Sequence, residues 1–329
     1  MWKTIIILLI VVCLLFLVVW VTKWAKHYPK NIRLEYNPGF FGVTFSKKFA
    51  TELGLDWKLS YQAILDDLKV KYIRLPIYWD DIERKDGAFN FSDYDYLLDE
   101  GNKRGVKFIV VLGQRQPRWP ECHTPAWIES YNLEEELLVM LDATVRHYRT
   151  RPEISTWQIE NEPFLDSFGV CPKSDPSLLQ EELKLVRTLD KRPILLTASG
   201  ELSSWNKEIA LADVFGTTLY RVVWNKYTGY MKYIWPSSFY KAKLKDKIDR
   251  DKAYIVELQA EPWSPTGNLL DLSQKQADKS MSLEQFKANL QYAINTEFKQ
   301  AYLWGVEWWY WQYKNGDPAF WQLARTMFE

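Results

Sequence analysis

Two glutamates stand where bond-breaking chemistry could be done. Glu162, in Asn161-Glu162-Pro163-Phe164, closes the apolar run Ile154-Ser155-Thr156-Trp157-Gln158-Ile159, and Glu257 closes the later run Ala253-Tyr254-Ile255-Val256. Cleaving a glycosidic bond calls for such a pair. One carboxylic acid protonates the departing oxygen, while a carboxylate on the other side attacks or stabilises the sugar carbon through an oxocarbenium-like transition state. The acid must stay protonated near working pH, which needs a desolvated or anion-crowded site, while its partner stays ionised. A gap of about 5–5.5 Å would give retention and a longer one inversion; spacing along the chain leaves both open.

The elements that must position these groups are short apolar runs alternating with amphipathic segments, the pattern of βα units around a parallel sheet. Eight runs can be placed: Phe40–Phe45, Tyr72–Pro76, Phe108–Leu112, Ile154–Ile159, Ile194–Thr197, Val214–Tyr220, Tyr254–Glu257 and Ala301–Gly305. Helical patterns fall between them, including Leu133 to Tyr148 and Leu283 to Phe298, with Ala319 to Phe328 as a closing helix. Eight repeats over 329 residues predict an α/β fold, a (β/α)8 TIM barrel over 39–329. Its active site belongs at the carboxyl ends of the strands.

Polar and aromatic side chains gather at those ends. Arg74 lies on the second strand, Gln114 beyond the third, Asn161 and Glu162 at the fourth, Ser199 after the fifth, Tyr220 at the sixth, Glu257 at the seventh and Trp304 at the eighth. Each alone has a plain explanation in core packing, ion pairing or strand termination; their convergence predicts one shared pocket. Several of the 17 tryptophans fall at strand ends too, where an indole either packs the core or offers a flat apolar face and an N–H to a sugar.

Lys plus Arg and Asp plus Glu both total 42, so there is no net positive field to favour nucleic acid. Three histidines and no Cys/His cluster with ligand spacing indicate no metal. No Gly-rich phosphate loop occurs, and no cofactor is expected. Cys122 and Cys171 follow the third and fourth runs, neighbours on one barrel face. They form either a disulfide suited to an oxidising compartment or two unpaired thiols.

Thr4 to Val21 is nearly unbroken apolar sequence, long enough to cross a bilayer as a helix. A cleaved signal peptide is the rival, but no small-x-small site follows the run. The expectation is a single-pass transmembrane anchor over 1–24 and a linker over 25–38. The positive-inside rule, read from Lys23, Lys26, Lys30 and Arg33, would hold the following domain in the cytoplasm. A glycan-cutting domain tethered to the outer face is the functional expectation.

From about Phe40 to Trp311 the chain resembles glycoside hydrolase clan A, retaining (β/α)8 enzymes that include the cellulase-like family 5. The resemblance rests on Trp157-Gln158-Ile159-Glu160-Asn161-Glu162-Pro163 and on Tyr254-Ile255-Val256-Glu257-Leu258-Gln259. It implies Glu162 as acid/base, Glu257 as nucleophile and Asn161 at the sugar 2-hydroxyl. It also implies Tyr220 beside the nucleophile, Arg74 keeping it ionised and Trp304 flooring the subsite at the cut bond. Glu261, four residues after Glu257, is a second candidate nucleophile and substrate contact. Gln114 stands where a family 5 histidine is expected, and Glu160 is expected to form an ion pair inside the barrel with Arg74. These readings converge on a membrane-anchored retaining glycoside hydrolase acting on an oligo- or polysaccharide. A transglycosylase with the same site and a catalytically silent glycan-binding barrel are the alternatives.

Overall fold

The computed structural model describes residues 35–37, 39–129 and 132–328. The expected anchor over 1–24 and most of the linker lie outside these residues. Among the described residues no helix is long and apolar enough to cross a membrane.

Ten strands are present among the described residues. In chain order they are β1 (Phe41–Thr44), β2 (Tyr72–Pro76), β3 (Lys107–Leu112), β4 (Ile154–Ile159), β5 (Ile194–Ala198), β6 (Val214–Leu219), β7 (Val222–Asn225), β8 (Gly229–Lys232), β9 (Ala253–Gln259) and β10 (Gln300–Trp304). Eight close into a barrel in the order β1-β10-β9-β6-β5-β4-β3-β2, and each neighbouring pair is parallel. The eight apolar runs are therefore the eight barrel strands. Parallel neighbours need crossovers, and amphipathic helices such as Ser92–Lys103, Leu133–Tyr148 and Pro176–Leu189 supply them.

Local chemistry sets where these helices begin and stop. Asp175 accepts from Ser177 N and Leu178 N ahead of Pro176, whose missing N–H costs nothing in the first turn. Ser282 caps Leu283–Ile294 in the same way. That helix ends four residues before the expected Phe298. Thr296 Oγ1 donates to the carbonyl of Ala293 at 2.7 Å and Glu297 takes a left-handed φ of 60°.

Three elements carry no clear signal in the chain. β7 and β8 form an antiparallel hairpin, in which Asn225 Oδ1 accepts from Tyr227 N and Thr228 N, both at 3.0 Å, to close the turn. Helices Ser237–Leu244 and Val306–Lys314 are the other two.

The barrel interior is layered. Ile109, Leu195, Val214, Val256 and Tyr302, drawn from five strands, meet in one buried cluster. Polar side chains lie above it, with Arg74, Gln158 and Thr197 fully buried. A bulge in β9 links the layers. Thr217 and Thr218 of β6 pair with Ile255 and Glu257, so β9 carries one extra residue there, and its pairing with β10 shifts at the same place. Val256 already faces inward in the cluster, so strict alternation would turn Glu257 outward. The bulge re-aims it.

Candidate active site

The carboxyl ends of the strands surround a cleft of about 470 Å³, lined among others by Asn161, Glu162, Tyr220, Glu257 and Trp304. With Ser199, six of the eight residues placed at strand ends in the sequence thus share one cavity. Arg74 is fully buried beneath it and ties its parts together. Nη1 donates to Glu257 Oε1 at 2.9 Å, Nη2 to Asn161 Oδ1 at 2.8 Å and Nε to Gln158 Oε1 at 2.8 Å. The planar fork serves three acceptors on two strands, which an ammonium could not do with the same geometry.

Glu257 is held at both oxygens, since Tyr220 Oη donates to its Oε2 at 2.9 Å. Burial, followed by the Glu257 charge, raises the Tyr220 phenol well above its ordinary value, so it stays a donor. The Tyr220 ring is braced edge-on by Trp263 at 5.4 Å. Asn161 Oδ1 also accepts from Gln158 Nε2 at 3.3 Å and Thr197 Oγ1 at 3.4 Å. This fixes the orientation of the amide and leaves its NH2 without a partner among the described residues.

Glu162 sits differently. Burial, and then the Glu257 carboxylate, push its carboxyl well above the usual 4.5. Among the described residues no cation forms an ion pair with Glu162, although the Arg115 charge partly offsets the rise; Thr218 Oγ1 lies 3.4 Å from its Oε1, and its backbone N–H donates to Thr197 Oγ1 at 2.7 Å. The backbone at Glu160 and Glu162 is left-handed, with φ of 56° and 48°. Such values cost non-glycine residues of order 1–3 kcal/mol and persist only where the surroundings over-determine them.

That backbone also corrects the expectation for Glu160. The change of hand breaks alternation, and Glu160 turns away from Arg74. Its carboxyl group accepts from Gln114 N at 2.6 Å and Arg115 N at 2.7 Å, fastening the end of β3. Gly113, at φ 127°, makes room, since a Cβ there would lie 2.2 Å from Glu160 Oε1. Burial raises Glu160 to about 7 and pushes its neighbour Glu182 up as well.

Two further expectations meet a different placement. Gln114 does not line the cleft; its side chain donates to Thr124 Oγ1 at 2.9 Å on the other side of the β3 loop. Glu261 does not line it either. Both of its oxygens are taken by Arg118, through a short contact to Nη1 and one of 3.1 Å to Nη2, and Arg118 also reaches Glu307 at 3.3 Å. What sets Glu261 apart from Glu257, which is also held at both oxygens, is that it does not border the cleft. Glu261 holds Arg118, whose guanidinium lies 4.0 Å over the Trp304 ring.

Other wall residues were not singled out in the sequence reading. Arg118, Glu121 and Glu201 line the cleft from loops after β3 and β5, and Asn225 and Met231 from the hairpin, beside Trp224, one of the tryptophans expected at strand ends. Loops have no period to read. The only signal was composition, in Arg115-Gln116-Pro117-Arg118-Trp119-Pro120. Glu121 is paired with Arg115 at 2.7 Å. Cys122 and Cys171 are bonded, joining the loops after β3 and β4 beside this wall. Among the described residues no group of His, Cys, Asp and Glu could hold a metal ion.

No protein-family model matches the chain, and no curated protein is significantly similar to it in sequence. Solved structures are similar in fold. A GH5_18 protein from Streptomyces cattleya, crystallised in complex with GlcNAc, matches with a TM-score of 0.54 at 12% identity, over 82% of this chain and 71% of that one. Native xylanase 10B from Thermotoga maritima matches with a TM-score of 0.54 at 13% identity, over 87% and 94%. A family 39 glycoside hydrolase from Bacteroides cellulosilyticus WH2 gives 0.49 at 15% identity; the match covers 81% of this chain but only 56% of that protein. The first two establish the fold, a (β/α)8 barrel like those of the clan A glycoside hydrolases that the chain resembles in sequence.

Proposed function

We propose that this barrel is a retaining glycoside hydrolase, with Glu257 as nucleophile and Glu162 as acid/base. One arrangement carries the reading: Glu162, whose burial favours its neutral form, and Glu257, held at both oxygens by Arg74 and Tyr220, line a single cleft at the carboxyl ends of the strands. Environments that split two acids in this way assign the acid and the base.

In the first step a Glu257 oxygen bonds to the anomeric carbon as the glycosidic C–O bond breaks, and the Glu162 proton passes to the leaving oxygen. In the second, water attacks the anomeric carbon, Glu162 takes its proton, and the Glu257 ester is released as a carboxylate. The Asn161 amide NH2 donates to the substrate hydroxyl nearest the nucleophile, and Trp304 stacks on the sugar. If another sugar replaces water in the second step, the same residues make a transglycosylase, and product analysis tells the two apart. A silent glycan-binding barrel would bind oligosaccharide in calorimetry and release no reducing ends. The neighbouring xylanase and GH5_18 proteins are consistent with a carbohydrate substrate.

In this reading residues 1–24 anchor the enzyme and the barrel lies outside the cytoplasm. The Cys122–Cys171 bond supports that side of the membrane, because disulfides persist in oxidising compartments.

The test is to incubate the full chain with 2-deoxy-2-fluoro glycosides carrying an activated leaving group and to locate the covalent adduct by peptide mass spectrometry. An adduct on Glu257 is expected; one on Glu261 would overturn the assignment.

A further inference from the structure

Eight of the twelve large apolar side chains exposed among the described residues border the mouth of the cleft. Trp119, Phe168, Leu202 and Met231 line the cavity itself. The other four adjoin it. Val170 donates its backbone N–H to the carbonyl of Pro120 at 2.9 Å, beside Trp119. Tyr227 caps the β7–β8 turn next to the wall residue Asn225, and Ile234 and Trp235 follow the wall residue Tyr233. Three of these reach far into solvent: Val170 is 67% exposed, Tyr227 85% and Ile234 62%.

Soluble proteins rarely gather so much exposed apolar surface in one place without an occupant. The side-chain types say which. A sugar stacks on a flat aromatic face, which Val170, Leu202, Met231 and Ile234 lack; aliphatic side chains mixed with Trp and Tyr suit acyl chains and the headgroup boundary. The charges agree. Lys173, Lys207 and Lys226 are exposed within the same loops, Lys207 over the Phe164 ring at 5.1 Å and Lys226 over Tyr227 at 5.1 Å. Cations beside an apolar rim complement anionic lipid headgroups. Of the exposed acids in these loops, Glu129, Asp166 and Asp175, Asp166 is engaged by Ser174 Oγ at 2.8 Å and Asp175 caps helix Pro176–Leu189.

We infer that this rim seats in the surface of a lipid bilayer and that the substrate is the sugar headgroup of a membrane-borne glycolipid. The inference rests on the glycosidase reading above. The rim would bring the cleft mouth to the headgroup layer, where the bond between sugar and lipid lies.

The test uses the full chain. A panel of 4-methylumbelliferyl pyranosides identifies an accepted sugar, and the n-dodecyl glycoside of that sugar is then supplied in vesicles of phosphatidylcholine and phosphatidylglycerol. The triple variant Val170→Ser, Tyr227→Ser, Ile234→Ser, none of whose positions lines the cleft, should keep its rate on the soluble glycoside and lose about tenfold on the vesicle-borne one. Separately, brominated phosphatidylcholine should quench wild-type fluorescence more than that of Trp235→Phe. Equal rates for the variant and wild type on both substrates, or equal quenching of both proteins, would overturn the proposal. Concentration-dependent self-association that the triple variant abolishes, without bromolipid quenching, would overturn it by giving the rim to a second copy of the chain. Quenching through Trp235 without hydrolysis of any glycoside would keep the bilayer contact and overturn the catalytic reading instead.

Discussion

Arg74 and Glu257 form an ion pair of 2.9 Å at the head of the barrel core, with the arginine side chain wholly buried and the glutamate 6% exposed. The same guanidinium holds Asn161, so one residue of β2 sets the positions of a proposed nucleophile on β9 and a substrate contact after β4.

Breaking this pair should cost both folding and rate. Arg74→Met strands a buried carboxylate, and a loss of about 3–5 kcal/mol in urea unfolding is expected. Arg74→Lys keeps the charge but cannot reproduce the fork, so it should fold and lose kcat with a smaller stability change. Equal kcat in Arg74→Lys and wild type would remove the positioning role.

Tyr220→Phe deletes one hydrogen bond to a charged acceptor and leaves the ring against Trp263 in place. Such a bond contributes about 1.5–3 kcal/mol to stability, so the unfolding free energy should drop by about that amount, and an equal loss in the transition state would lower kcat/KM roughly 10- to 150-fold. An unaltered rate would show that Glu257 does not need the Tyr220 donor.

Glu162→Gln separates catalysis from stability. Turnover of substrates with poor leaving groups should drop by about 10²–10⁴-fold, and the alkaline limb of the wild-type profile should report loss of the Glu162 proton. The stability sign follows from the raised folded-state value. The favourable contribution of the protonated group is complete below its unfolded value of 4.5 and is lost as pH rises through the folded one. The variant should therefore melt higher than wild type by a margin that widens with pH. Melting curves of both proteins from acid to alkaline pH check this, and a margin that narrows with pH would contradict the burial of an unpaired acid.

Reducing the Cys122–Cys171 bond releases a loop constraint spanning 49 residues, worth about 4 kcal/mol in a chain-entropy estimate. The wall built from Arg115 and Glu121 should loosen with it. Denaturant midpoints with and without reductant measure the effect. Two alkylatable thiols in native, unreduced protein would show that the bond does not form.

Much of the frame was legible because local patterns produce it. β2 and β4 coincide with their apolar runs, and Leu133–Tyr148 and Ala319–Phe328 with their helical periodicity. β7 and β8 were not legible, because a hairpin anchored in a loop need not bury a continuous apolar face, and its turn signal at Asn225 and Gly229 is local. Helix Val306–Lys314 is aromatic on several sides and shows no clean stripe.

The sequence by itself determined the eight barrel strands, most of the helices between them, and that Glu162 and Glu257 lie toward the carboxyl ends of two of those strands. Periodicity and capping act between residues a few positions apart, so the chain carries them openly. Only the tertiary structure shows what surrounds each acid. The bulge that turns Glu257 inward is seen only against β6 and β10, and its partner Arg74 is 183 residues away. Arg118 pairs with Glu261 across 143 residues, and the left-handed turn at Glu160 gives that acid to the β3 loop. A carboxyl group takes its charge state and its direction from neighbours in space, and distance along the chain does not encode those neighbours.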